Sequence, residues 1–151
     1  MKTSIMYTQL LHAHSGLRWL LLVSLLLSII FALNGWLKKR EWSKKDKLSS
    51  LILMLVMDIQ FLVGFVLYAF VSPITKAAFA AMKEAMKISE LRFYLVEHGI
   101  LMLLALILVH VARNKSKRIT PHWKRHRTVL IYYVVTLVVI LAAIPWNRPL
   151  F

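Results

Sequence analysis

The chain has 151 residues, 60% of them hydrophobic, no cysteine and a formal net charge of +14. Without cysteine it forms no disulfide, thiolate zinc site, iron–sulfur cluster or covalent c-type haem link of its own. Four glycines and four prolines provide no glycine-rich phosphate loop, and a mean hydropathy of +0.68 exceeds what a soluble core of this length requires.

The apolar residues fall in four blocks long enough to cross hydrocarbon about 30 Å thick as helices. No internal repeat or low-complexity linker divides the chain. The expected fold is therefore one all-α integral membrane four-helix domain, with spans at about 10–36, 48–71, 91–112 and 128–144. Lys2 precedes the first apolar block as in a signal peptide. That block is too long and no small-x-small cleavage site follows it, so it reads as an uncleaved first helix.

Span one opens on HAHSGLRW, residues 12–19, before a long apolar run interrupted only by Ser24 and Ser28. His12 and His14 are two residues apart and point to nearly opposite faces. Arg18 shares the face of His14, one turn further on, so His14 is the inward candidate. Asn34 lies near the far end of the span. The connection that follows carries six basic residues: Lys38, Lys39, Arg40, Lys44, Lys45 and Lys47.

Span two carries Asp58 and Gln60 near its middle and stops before Ser72-Pro73. The stretch after it is rich in alanine, methionine and lysine, all good helix formers. Phe79, Met82 and Met86 recur at helical spacing, which predicts a short amphipathic helix lying on the membrane surface. Span three carries Glu97 and His98 near its start and His110 near its end.

The third connection holds seven basic residues: Arg113, Lys115, Lys117, Arg118, Lys124, Arg125 and Arg127. The first and third connections together hold thirteen of the twenty Lys and Arg residues. Such clustering between apolar blocks points to cytoplasmic loops that attract anionic lipid headgroups, not to nucleic acid. Both termini and the loop between spans two and three then lie outside, in the periplasm of a bacterial inner membrane. His122 and His126 belong to the basic loop and are expected to be solvated. Span four ends at Pro145-Trp146. Trp36, Trp42 and Trp123 would mark the inner interface, and Trp19 and Trp146 lie toward the outer one.

Spans one and three run in the same direction. At ~1.5 Å per residue, His14 lies roughly 6 Å and His98 roughly 9 Å below the starts of their helices, so the two meet in depth. Glu97 comes within reach of Arg18. The expected outer-half polar cluster is His14, Arg18, Asp58, Gln60, Glu97 and His98, since polar groups in spans face inward and pair.

Three uses fit such a set. His14 and His98 can take both axial positions of a haem iron, with Arg18 neutralising a propionate. His110 has no matching histidine in span one, which limits the count to one haem. His14, Asp58, Glu97 and His98 are also nitrogen and oxygen donors for an ordinary metal ion, although Glu97 and His98 diverge by about 100° around their helix. Third, the cluster can be structural glue, because polar side chains bond across helices in membranes. Gly16 and Gly64 then allow close helix approach, and Met54, Met57 and Met102 are packing residues.

The strings LLHAHSGLRWLLL, DIQFLVGFVLY, LRFYLVEHGILMLLAL and KRHRTVLIYYVVTLVVILAAIPW, in that order, resemble a group of small bacterial four-helix membrane proteins often labelled cytochrome b or left uncharacterised. The recognisable parts are His14 with Arg18 and the segment from Arg92 to His98. The resemblance implies b-type haem and electron transfer; the outer placement of the histidines would suit exchange of electrons with a quinone or a periplasmic partner, with the chain as a subunit of a larger respiratory assembly. The expectation is a haem b protein ligated by His14 and His98. Its rivals are a non-catalytic accessory or assembly subunit and an intramembrane metal-binding protein.

Overall fold

The computed structural model describes residues 2–146. The extreme chain ends, whose side of the membrane is an expectation above, lie outside the described residues. Every regular element among them is helical. Helix α1 spans Lys2–Leu37 and α2 spans Lys44–Val66, running directly into a π-helical turn at Leu67–Val71. Three short helices follow: α3 (Pro73–Ala80), α4 (Met82–Ala85) and α5 (Ser89–Arg92). A second π-helical turn, Phe93–Glu97, leads into α6 (His98–Ser116), and α7 spans His122–Ala143.

Four helical stretches are long and apolar enough to cross a membrane: Ile5–Leu37, Lys44–Val71, Ser89–Ser116 and His122–Ala143. They correspond to the four expected spans, each longer than hydropathy alone suggests. At the basic end the extra turns carry Lys44, Lys45, Lys47, Arg113, Lys115, Lys124, Arg125 and Arg127. Lysine and arginine are good helix formers whose long stems reach back to an interface, so the helices continue where the apolar pattern stops.

Helix α1 packs against α2 and α7, and α6 packs against α7 and α2. This leaves α1 and α6 diagonally opposite. Leu21, Leu25, Leu53, Met57, Val109 and Tyr133 fill the space between the helices, and Ala32, Ala105 and Ala112 allow close approach. The outward surface is also apolar: Val23, Leu26, Leu27 and Ile30 on α1, and Ile131, Val134, Val135 and Val138 on α7, are exposed. Helices that are apolar all round belong in a hydrophobic surrounding.

At one end sit the two basic connections. The sequence Ser43-Lys-Lys-Asp46 caps α2: the Asp46 carboxylate accepts from the Ser43 amide at 2.8 Å and from its hydroxyl at 2.7 Å. Arg40 binds the same carboxylate through both terminal nitrogens, each at 2.6 Å, and donates to the Phe31 carbonyl at 3.2 Å. The connection is thereby tied to α1 and α2 at once. The hydrogen-bonded carboxylate holds the Arg40 guanidinium above its already high ordinary pKa.

His126 is not solvated, contrary to expectation. Helix α7 begins at His122, six residues before the expected start, so His126 falls on its inward stripe with Val129, Leu130, Tyr133, Thr136 and Ile140. The ring is fully buried. It packs on Trp42, with ring centres 4.8 Å apart, and on Gly35, where a β-carbon would fall on the imidazole. Trp42 is accordingly part of the packing, not only an interface marker. His122 Nδ1 accepts the Trp42 amide at 3.2 Å.

The opposite end is closed by α3 to α5. The expected single amphipathic helix is broken at Ala81, whose backbone (φ −128°, ψ 52°) leaves the helical region. Its outward side is as expected, with Phe79, Met82 and Met86 exposed, while Ala78 and Ala85 pack against Leu95. The two π-helical turns are fastened together: Tyr68 donates its hydroxyl to the Leu95 carbonyl at 2.7 Å, and Thr75 donates to the Tyr68 carbonyl at 2.8 Å.

Replacing Asp46 with alanine removes a charge-assisted pair and a helix cap together. The expected loss is about 2–3 kcal/mol, read as a lowered unfolding midpoint in detergent. An unchanged midpoint would show that the Arg40–Asp46 lock is dispensable.

Candidate functional site

Between the main core and the short-helix cap lies a polar layer. On α1 the buried core begins at Leu21; on α6 it begins at Ala105. His14 and His98 lie one to two turns nearer the cap than these residues and belong to neither hydrophobic cluster. Their rings face each other across the diagonal, with centres 6.2 Å apart and planes at 73°. The matching depths expected from sequence are thus found as a contact.

His98 is fixed through Nδ1, which lies 2.8 Å from the Ala143 carbonyl of α7. A carbonyl only accepts, so Nδ1 carries the proton and neutral His98 presents a lone pair at Nε2. His14 is held differently. Gln60 on α2 donates its amide to the His14 backbone carbonyl at 3.1 Å and lies 3.4 Å from His14 Nε2. The second distance is too long for a strong hydrogen bond. His14 Nδ1 and Gln60 Oε1 are enclosed with no hydrogen-bond partner. Buried polar atoms are normally satisfied; these two are open here, as are both ring nitrogens of the buried His126 at the other end of the bundle.

Gly64 makes room for the His14 ring: a β-carbon there would lie 2.9 Å from His14 Cε1. The close approach expected of Gly64 is therefore to a side chain, not a helix backbone. Gly16 serves no such purpose, since a β-carbon there would meet nothing within 4 Å. Arg18, whose guanidinium also lies 5.6 Å from the Trp19 ring centre, is within electrostatic reach of both His14 and His98. His12 is exposed on the other face of α1.

Two members of the expected cluster lie elsewhere. Glu97 binds Arg92 at 2.8 Å and is exposed; it does not meet Arg18 in a salt bridge. The reason is the π-helical turn. Its repeat aligns residues five apart, which brings Arg92 and Glu97 together, whereas a regular helix would separate them. Asp58 also departs, with Oδ1 3.4 Å from His110 Nε2. Asp58 and Gln60 are two residues apart on α2 and point to nearly opposite sides: Gln60 reaches α1 and Asp58 reaches α6. His110 is braced by its Nδ1–H donating to the Leu106 carbonyl at 3.0 Å.

The layer that remains is His14, Gln60 and His98, with Arg18 beside it. The Ala143 carbonyl and the π-helical turn preceding His98 could not have been found from side-chain chemistry. The Tyr133 hydroxyl, donating to Ser50 at 3.0 Å in the buried interior, was also missed. An aromatic hydroxyl within span four was its only signal.

With ring centres 6.2 Å apart, His14 and His98 could together supply two nitrogen donors to a bound group, His98 through the lone pair on Nε2. Among the described residues no three His, Asp or Glu side chains form a group that could hold a metal ion. Ligation here would therefore rest on the two imidazoles, a donor set suited to the axial positions of haem iron. The chain matches no protein-family model, no curated protein and no solved structure.

Proposed function

We propose that the chain is an integral four-helix protein of a bacterial inner membrane that binds one b-type haem between α1 and α6. The supporting observation is the diagonal meeting of the His14 and His98 imidazoles, with ring centres 6.2 Å apart. Haem would supply one-electron chemistry, and its reaction partner would be a membrane quinone or another subunit of a respiratory assembly.

The residues divide the work. His14 and His98 would hold the iron. The Ala143 carbonyl holds the His98 ring in one tautomer and raises its basicity, the usual task of a group bonded to the far nitrogen of a ligating histidine. Gln60 fixes the α1 backbone at His14. Arg18 supplies a cation for a propionate, and the apolar helices exclude water. The positive-inside rule assigns both basic connections to the cytoplasm and the α3–α5 cap to the periplasm, so electron exchange takes place near the outer face.

One observation favours a second reading, a cofactor-free accessory subunit. The Asp58–His110 pair has side chains 33% and 41% exposed on a lateral apolar surface. Polar groups in hydrocarbon call for cover, and a partner helix would provide it. On this reading the histidine layer is structural.

A reduced-minus-oxidised spectrum separates the two. Purified protein should show a b-type signal that is lost in His14→Ala and in His98→Ala and kept in His122→Ala; no signal after expression with added haem would remove the haem proposal. The absence of native cysteine makes orientation directly testable. An impermeant maleimide should label Lys83→Cys in cells with a permeabilised outer membrane and Lys117→Cys only after the inner membrane is broken; the reverse pattern would invert the assignment.

A further inference from the structure

A second site lies at the basic end, independent of the haem reading. A cleft of about 300 Å³ opens there among α2, α6 and α7. Four cations line it: Lys47, Arg113, Lys117 and Arg125. No acidic side chain does. The nearby carboxylate of Asp46 is bound bidentately by Arg40, and none of the four cations is in a salt bridge among the described residues.

Like charges repel, so four cations around one cleft are disfavoured unless counter-charge enters it. The cleft is shaped by the fold. Arg113 donates to the Lys47 carbonyl at 3.4 Å, bringing α6 to the start of α2. Arg125 is aimed by its bond to the Ile119 carbonyl at 3.1 Å and by the Trp42 ring, whose centre is 5.6 Å from the guanidinium. In the wall, the buried Ser50 hydroxyl accepts from Tyr133, which leaves its own proton to donate. The volume is that of roughly ten water molecules, enough for a tetrahedral anion with its remaining solvent.

We propose that this cleft binds a phosphate group, held by Arg113 and Arg125 with Lys47 and Lys117 closing over it. Guanidinium forks suit phosphate oxygens, and ammonium groups add charge without fixed geometry. Two sources carry that chemistry at this end of the molecule: the phosphodiester of an anionic lipid and free phosphate in the adjoining solution. Basic pockets between spanning helices on the cytoplasmic side suit lipid phosphates.

The test uses full-length protein in phosphatidylcholine nanodiscs, with or without phosphatidylglycerol. Native mass spectrometry reads retained lipid, and calorimetry reads binding of inorganic phosphate. Lys47→Gln with Lys117→Gln removes two cations that are exposed; Arg113→Gln is a second, separate probe. Lys38→Gln with Lys39→Gln removes the same charge from the same end but outside the cleft.

Wild-type protein should retain phosphatidylglycerol in preference to phosphatidylcholine. Retention should fall about tenfold in the cleft variants and hold in the Lys38/Lys39 control. Phosphate binding with that variant pattern but no lipid preference would support the site and assign free phosphate as its source. Equal losses in cleft and control variants, or no binding of either probe, would overturn the proposal.

Discussion

A polar side chain on a helix with an apolar surround must find its partner inside the protein, and most of this architecture follows from that constraint. The four long helices are apolar on their outward faces as well as between them, so hydrophobic burial alone does little to fix their rotation. Polar contacts do more. Gln60 reaches the α1 backbone, His98 reaches the α7 backbone, Tyr133 reaches Ser50 on α2, and Arg40 with Asp46 closes the turn between α1 and α2. Each joins elements that apolar packing would leave free to slide or rotate, and hydrogen bonds across spanning helices are each worth about 0.6–2 kcal/mol.

That accounting stays open in the histidine layer and at His126, whose two buried ring nitrogens also have no hydrogen-bond partner. His98 satisfies one nitrogen on a carbonyl and presents the other. His14 has an enclosed nitrogen with no partner, and Gln60 an enclosed oxygen in the same state. Elsewhere the buried serines and threonines are satisfied, often on their own helix, as with Ser24, Ser28 and Thr136. The cap contributes by geometry. The π-helical turn that ends at Glu97 sets the rotation at which α6 presents His98; Tyr68 bonds that turn to the one following α2, which Thr75 ties to α3.

Much of this was legible in the residues. Block length and hydropathy located four long helices, and helical rise placed His14 and His98 at one depth. Three features escaped for physical reasons. The Arg18–Glu97 pairing assumed a regular helix, and a π-helical turn gave Glu97 to Arg92. Asp58 and Gln60 were placed in one cluster, yet two residues of helix turn them toward different neighbours. His126 was expected among solvated basic residues because hydropathy started the helix too late; the added first turns of α7 put the imidazole on the inward stripe. Backbone carbonyl partners such as Ala143 leave no mark in a sequence.

The haem proposal rests on His14 and His98, from diagonal helices, together holding one iron. The most direct measurement is pulsed EPR on oxidised, purified protein with ¹⁵N-labelled histidine. Coupling of a low-spin haem iron to two histidine nitrogens, from a single haem per chain, is the predicted result. Coupling to one histidine nitrogen, or protein that folds and purifies without iron, would contradict it.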